Sequence, residues 1–380
     1  MNSRIEWVIE SSRLVSGITS EFARTRPFDG LTIGTGIHLE PKTAGLLLAL
    51  AAGGARVVAT GNLNSTQQET VDYLLAHGIQ VIGGPTSDPE VHDANLRAVL
   101  AAEPELLLDN GGDLFARYLE NPYPGFIGGT EETTSGRTRL TPLRDRFTAP
   151  ILVINDSPIK QFAENRHAVG QSVLESYLRL TNRSTQGKRV AVFGYGSCGE
   201  GVAANFRNSY AQVSVLEADP VKRLEACLDG FDVSDRASAL STADMIITVT
   251  GAVDVVTAAD LPLFKSGAIL MNAGHFPLEI DVPGILSHPD VTSVDQSSPG
   301  IETLTLADGR RVHLAARGHM VNLGGPAPLG NSIESMDLGF ALQTRCLEAI
   351  ARDAVAPGST LVPVPRDIDE RVASDFLATR

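Results

Sequence analysis

The stretch "KRVAVFGYGSCGEG", residues 188–201, decides the fold. An apolar run, Val190–Phe193, leads into Gly194, Gly196 and Gly199 at GxGxxG spacing, and "EGVAANFRN" then reads as a helix. Glycines so placed permit a tight turn, close approach of the backbone to a pyrophosphate and close packing of strand on helix, with the helix N-terminus facing the phosphates. The next apolar run, "AQVSVLEADP" (211–220), ends at Glu217. A carboxylate there accepts from both ribose hydroxyls and repels a 2′-phosphate, which favours NAD over NADP. Asp219 is the rival for that role, and a glycine-rich turn without nucleotide is the alternative for the whole stretch.

Strand and helix signals alternate outward from this point. Downstream come "ADMIITVTG" (243–251), "GAILMNAG" (267–274) and "HMVNLGG" (319–325); upstream, "LTIGTG" (31–36), "RVVATG" (56–61), "IQVIGG" (79–84), "ELLLDN" (105–110) and "PILVIN" (150–155) read as buried strands. "PKTAGLLLALAAGG" (41–54) reads as a helix with Pro41 in its first turn, and 337–354 has helical periodicity. The tail from 357 reads as a proline-rich connector and a short helix. Such alternation predicts an α/β protein with two doubly wound parallel-sheet domains. A Rossmann NAD domain (169–327) is inserted into a substrate-binding domain made of 1–168 and 328–380.

Composition excludes several classes. A net charge of −14 without a basic tract argues against nucleic acid as a partner. No apolar run has the length of a membrane span, and the N-terminus lacks a signal-peptide core, so a cytoplasmic protein is expected. Cys198, Cys227 and Cys346 form no CxxC pair, and His77, His92, His288, His313 and His319 show no ligand spacing, so neither disulfides nor a metal is expected.

Polar clusters stand where strands end, which in parallel sheets is where ligands bind. They include His38 after the first strand, Asp109, Asn110 and Asp113 in "LLLDNGGDL", Glu131 and Glu132 in "GTEETTSG", and His275 in "NAGHF". The chain has five lysines, and one, Lys160, lies in "NDSPIKQFAEN" among Asn155, Asp156, Glu164 and Asn165. A buried lysine beside a nicotinamide takes the proton of an alcohol as hydride leaves carbon, provided that its surroundings lower its pKa. A solvated surface lysine is the alternative, as structural histidines are for His38 and His275, and a helix N-terminal pair for Glu131–Glu132.

The motifs "STQ" (65–67), "GGDL" (111–114), "EETTSG" (131–136), "NDS..K" (155–160), "GYGSCGEG" (194–201), "LEADP" (216–220), "TVTG" (248–251), "NAGHF..EID" (272–281) and "VNLG" (321–324) occur in one order along the chain. The sequence resembles the S-adenosyl-L-homocysteine hydrolase family over nearly its whole length. That resemblance implies tightly held NAD+, oxidation of a nucleoside 3′-hydroxyl, loss of the acidified C4′ proton, expulsion of the C5′ group, water addition and return of the hydride. It makes Lys160 the group handling the 3′-hydroxyl proton, helped by Asn155 and Glu132. His38 becomes an acid/base group near C5′, and His275 one near the 3′ side. Asn165, Thr133, Thr134, Glu217, Thr250 and Asn322 match NAD contacts. The family is usually tetrameric, so a homo-oligomer, dimer or tetramer, is expected.

Departures from the family pattern cluster at the substrate. Asn110 stands where the family has an aspartate, a candidate acid/base for the C4′–C5′ steps, and an amide exchanges no proton at neutral pH. Glu164 stands for the sugar-binding aspartate, Glu40 and Lys42 for nucleoside-contacting residues, Gly61 for a cysteine, and Leu329 for the histidine of an adenine-contacting gate. The chain also stops without the family's C-terminal extension, so looser NAD binding is expected. The expectation is therefore a relative that oxidises, eliminates at C5′ and reduces without completing water addition, leaving a 4′,5′-unsaturated nucleoside. Nucleoside-antibiotic biosynthesis is a setting for such a dehydratase, and a nucleoside of psicose is a substrate that would need a reshaped pocket. An ordinary S-adenosyl-L-homocysteine hydrolase, an epimerase working through the 3′-ketone, and a non-catalytic NAD-binding protein are the rivals.

Overall fold

The computed structural model describes residues 4–233, 235–356 and 358–379. The chain forms two compact units, Met1–Gln161 with Ile333–Arg380, and Phe162–Ser332. The borders thus fall at 161/162 and 332/333, where the sequence places them at 168/169 and 327/328.

Strands β1 (Thr32–Ile37), β2 (Arg56–Gly61), β3 (Gln80–Ile82), β4 (Leu106–Asp109), β5 (Gly128–Glu131) and β6 (Ile151–Val153) belong to the first unit. The chain then supplies β7 (Arg189–Phe193), β8 (Gln212–Leu216), β9 (Met245–Thr248), β10 (Ile269–Asn272), β11 (Val291–Ser298), β12 (Ile301–Leu306) and β13 (Arg311–Ala315) to the second, and returns as β14 (Thr360–Pro363).

The first sheet has the order β14-β6-β5-β4-β1-β2-β3, with every pairing parallel. Its central strands are apolar and buried along their length, as "LLLD" in β4 is, because helices cover both faces. The order reverses between β1 and β4, which opens a crevice at their carboxyl ends. The C-terminal segment belongs to this unit for physical reasons. Asp337, in the helix Ile333–Ala351, accepts from Leu14 N and Val15 N at 2.8 Å and so caps the helix Arg13–Thr25. The tail is more than a connector: β14 pairs with β6, and the helix Arg366–Ala378 runs 13 residues. From that helix Asp369 accepts from Ser157 Oγ at 2.6 Å, anchoring the start of the segment that carries Lys160.

The second sheet has the order β11-β12-β13-β10-β9-β7-β8. Five strands are parallel, β7 being paired with both β8 and β9, so this order too reverses beside β7. Alternation along β7 sends Val190 and Val192 to one core and Ala191 and Phe193 to the other. The edge departs from the all-parallel expectation, since β11, β12 and β13 form an antiparallel meander. Its turns hold Gly300 and Gly309 at φ 80° and 83°, and the pair Asp308-Gly309 is the hairpin signal. "HMVNLGG" is also no strand; it contributes one bridge, Met320 to Asn272. Among the described residues, no helix is long and apolar enough to cross a membrane.

Candidate active site

In the first unit the chemistry-bearing residues follow on strand ends: His38 directly after β1, Asn62 after β2, Asn110 after β4 and Glu132 after β5, with Asn155 one residue further on from β6. Lys160 opens a π-helical stretch, Lys160–Ala168, a geometry that recurs at functional sites. Lys160 and Glu132 are both buried, and Nζ donates to Glu132 Oε1 at 2.9 Å. The other oxygen of Glu132 accepts from Asn110 Nδ2 at 2.8 Å, and Asn110 Oδ1 accepts from Asn62 Nδ2 at 3.3 Å. Burial alone would raise the Glu132 carboxyl; the Lys160 ammonium, with help from His38 and Asn110, brings it below the usual carboxylate value.

His38 lies on a second arm. Its Nδ1 is 2.5 Å from Ser65 Oγ, and that hydroxyl donates to Asn62 O at 3.2 Å. When that hydroxyl donates to the carbonyl it accepts from the ring, the tautomer in which Nδ1 carries the proton. Asn155 Nδ2 donates to Thr134 Oγ1 at 2.8 Å, and Asn155 O accepts from Gln161 Nε2 at 2.5 Å. Glu40 and Lys42 form a buried ion pair at 2.6 Å, in which burial pushes Glu40 up against the opposing pull of Lys42.

Glu131 holds the frame behind these groups. It is fully buried and accepts from Gly111 N, Gly112 N, Thr133 N and Thr133 Oγ1 at 2.8–3.1 Å. Burial, then the neighbouring Asp109, pushes Glu131 above its ordinary value, against those donors. Burial, then Asp113, raises Asp109 to about 7. Thr133 Oγ1 in turn accepts from Gly136 N and caps the helix Thr134–Leu140.

In the second unit the fingerprint has the predicted geometry. Gly194 adopts φ 105°, and a methyl on Gly199 would stand 2.1 Å from Gly194 O, so the strand–helix crossing tolerates no side chain there. A methyl on Gly196 meets nothing within 4 Å, which leaves that backbone open to a ligand at the start of the helix Ser197–Asn208. Glu217 accepts from Tyr195 N at 2.7 Å, beside the glycines, whereas Asp219 accepts from Val221 N as the cap of the helix Pro220–Leu228. The geometry therefore favours Glu217 over Asp219 for the ribose. Asn322 is buried, donates to Ser172 Oγ at 3.0 Å, and keeps Oδ1 buried without a partner among the described residues. An orphaned acceptor, an open glycine and a helix N-terminus fit a dinucleotide.

Glu279 joins two motifs, accepting from Thr250 N, Thr250 Oγ1 and Gly251 N at 2.8 Å. Asn272, fully buried, clamps the following loop through Gly274 and Phe276, and His275 lies edge-on to Phe276. Thr250 and Leu329 are exposed, Glu164 is buried and Asn165 half-buried on the π-helical stretch. Among the described residues no group of three or more His, Cys, Asp and Glu is placed to hold a metal.

The sequence does not single out Asn62, Ser65 as the partner of His38, Glu131 as a frame, or Glu279. Ser65 and Glu279 lay inside quoted motifs; Asn62 carries no signal beyond its place at a strand end.

The fold and these two sets of residues define a dinucleotide-binding α/β protein with a buried lysine–carboxylate site. The family model described as S-adenosyl-L-homocysteine hydrolase matches residues 10–125, and the one described as its NAD binding domain matches 165–327. The chain is 38% identical over 376 residues to the S-inosyl-L-homocysteine hydrolase of Methanopyrus kandleri, covering 97% of this chain and 88% of that protein. It is 39% identical over 376 residues to the adenosylhomocysteinase of Thermotoga maritima, covering 97% and 92%. Among solved structures, the dipicolinate synthase A chain of Bacillus subtilis is similar at TM-score 0.47 and 12% identity, covering 85% of this chain and 98% of that one. The chain belongs to the S-adenosyl-L-homocysteine hydrolase family, a family of enzymes with an NAD-binding domain.

Proposed function

We propose that this protein is a nucleoside dehydratase that works by transient oxidation at C3′ and yields a 4′,5′-unsaturated nucleoside. One observation carries the reading: the buried Glu132 is held between the Lys160 ammonium and the Asn110 amide, so the pair for 3′-hydroxyl chemistry is complete while its neighbour moves no proton.

Gly194, Gly196, Gly199, Glu217, Thr250 and Asn322 would hold NAD+, to which the family resemblance adds Thr133, Thr134 and Asn165, and the cofactor would supply a hydride acceptor for C3′. Lys160 as the amine takes the O3′ proton, and the resulting ammonium is stabilised by Glu132 and directed at the ketone oxygen. A polarised 3′-ketone acidifies the C4′ hydrogen. With an amide at Asn110, His38 Nε2 takes the C4′ proton and delivers it to the departing C5′ oxygen, so that water leaves. Lys160 then returns its proton to O3′ as C3′ is reduced, and the net change is loss of water. Asn155 orders Thr134 and Gln161 around this segment. Glu40 and Lys42 shape the substrate pocket in the first unit, and the family resemblance adds Glu164, Leu329 and, on the 3′ side, His275.

The names of the relatives favour a second reading, in which the C5′ group is homocysteine and water addition completes a hydrolysis. Incubation with NAD+ and a panel of adenosine, S-adenosyl-L-homocysteine and ketohexose nucleosides separates the two. Loss of water with vinylic proton signals, and no homocysteine, is the expected result. Homocysteine release with no unsaturated product overturns the dehydratase reading. The protein is expected to work as a homo-oligomer, which sedimentation would test.

A further inference from the structure

We propose that Asn62 is a substrate-binding residue whose amide oxygen accepts a hydrogen bond from a hydroxyl on the C5′ side of the nucleoside. The orientation of its amide follows from a chain of three residues. Glu132 is ionised beside Lys160, so both its oxygens only accept. Asn110 must therefore turn Nδ2 toward Glu132, at 2.8 Å, which leaves Oδ1 facing Asn62. Facing an acceptor, Asn62 must present Nδ2, at 3.3 Å from Asn110 Oδ1 and 3.5 Å from Asn110 O. Its own Oδ1 is thereby turned away from the ladder.

That oxygen is buried and has no partner among the described residues, although Asn62 is only 6% exposed. Unpaired buried acceptors are rare and signal a missing donor. The place of the donor follows from the other end of the residue. Asn62 O accepts from Ser65 Oγ, the partner of His38, so Asn62 ties the Glu132 arm to the His38 arm where β1 and β2 end side by side. In the proposed reaction, on which this inference rests, His38 serves C5′ and Glu132 serves C3′. An acceptor on the His38 arm is satisfied by a C5′ hydroxyl; a thioether has no proton to offer.

The test measures dissociation constants on the NAD-loaded protein for three pairs: adenosine and 5′-deoxyadenosine, inosine and 5′-deoxyinosine, uridine and 5′-deoxyuridine. Leaving a buried acceptor unpaired weakens binding, so the hydroxyl member of the preferred pair is expected to bind about tenfold or more tighter. In Asn62→Ala the ratio is expected to fall to about twofold or less, whatever affinity both members lose together when Asn110 Oδ1 is left unpaired. A merely structural role would weaken both members alike. Equal binding of the members by the wild type, a measurement that needs no variant, overturns the proposal. So does binding of none of the pairs, or an unchanged ratio in Asn62→Ala. A ratio that is present in the wild type and lost in Asn62→Ala, in a protein that releases homocysteine and no unsaturated product, removes the dehydratase reading and leaves the role of Asn62 standing.

Discussion

The dinucleotide fingerprint of the second unit is mostly main chain: an open Gly196, the first turn of the helix Ser197–Asn208 and a turn at Gly194 pinned beside Val249 and Thr250. The corresponding strand ends of the first unit carry side chains, and these are buried and bonded to one another: Lys160 to Glu132, Glu132 to Asn110, Asn110 to Asn62. A backbone site is fixed by where side chains are missing, so it tolerates change in its neighbours. A ladder of side chains is fixed by which atom donates and which accepts, so changing one member leaves the rest unsatisfied. The two halves should therefore fail differently when altered.

The largest effect is expected at Lys160. In Lys160→Met, Glu132 stays buried without its cation, and breaking such a pair costs about 3–5 kcal/mol. Turnover should fall by about 10²–10⁴-fold, the range for loss of an acid/base group. The pH dependence should also change sign. In the wild type Glu132 is held below 4.5, so it contributes stability above that pH and loses it as pH falls through the lowered value. In the variant burial, the largest influence, is opposed only by His38 and Asn110 and lifts the carboxyl above 4.5. The folded state then holds the proton more tightly than the unfolded chain, and stability should drop as pH rises through that raised value. Denaturant unfolding of both proteins across pH checks this; parallel profiles would break the comparison.

The same contrast explains what the sequence shows and what it hides. Gly194, Gly196 and Gly199 are legible because their spacing is the constraint itself. The buried strands are legible because a run such as "LLLD" has few other uses. The β11–β13 meander is not seen among parallel strands, since β11, "VTSVDQSS", is exposed at an edge and lacks an apolar run; only Asp308-Gly309 marked the turn. β5, "GGTE", and β14, "TLVP", are hidden because their burial comes from neighbours rather than from their own composition. In the site, Lys160, Glu132, His38 and Asn110 were legible as chemistry at strand ends. Asn62 was not, because its role lies in an amide orientation set by two residues far away in sequence.

A smaller effect separates two glycines of one motif. Gly199→Ala sets a methyl 2.1 Å from Gly194 O and should destabilise the second unit by about 1–3 kcal/mol. Gly196→Ala meets nothing, and should leave the melting temperature unchanged while weakening NAD binding. Thermal unfolding and titration calorimetry on both variants sharpen the comparison, and equal melting temperatures would count against a backbone-built site. The smallest effect is expected in Ser65→Ala, which removes the Nδ1 partner of His38. Turnover should fall by about 2- to 12-fold, the worth of one net hydrogen bond, with NAD affinity unchanged.

The central claim is that Lys160 and Glu132 activate a nucleoside through its 3′-hydroxyl. Its most direct test is incubation of the nucleoside panel with the protein and NAD+ in D2O, followed by NMR of the recovered substrate and product. The predicted result is loss of the C4′ hydrogen, seen as a hydrogen-free C4′ in the unsaturated product or as deuterium at C4′ of recovered nucleoside, and absent with Lys160→Met. A product that keeps its C4′ protium, or C4′ chemistry that persists without Lys160, would contradict it.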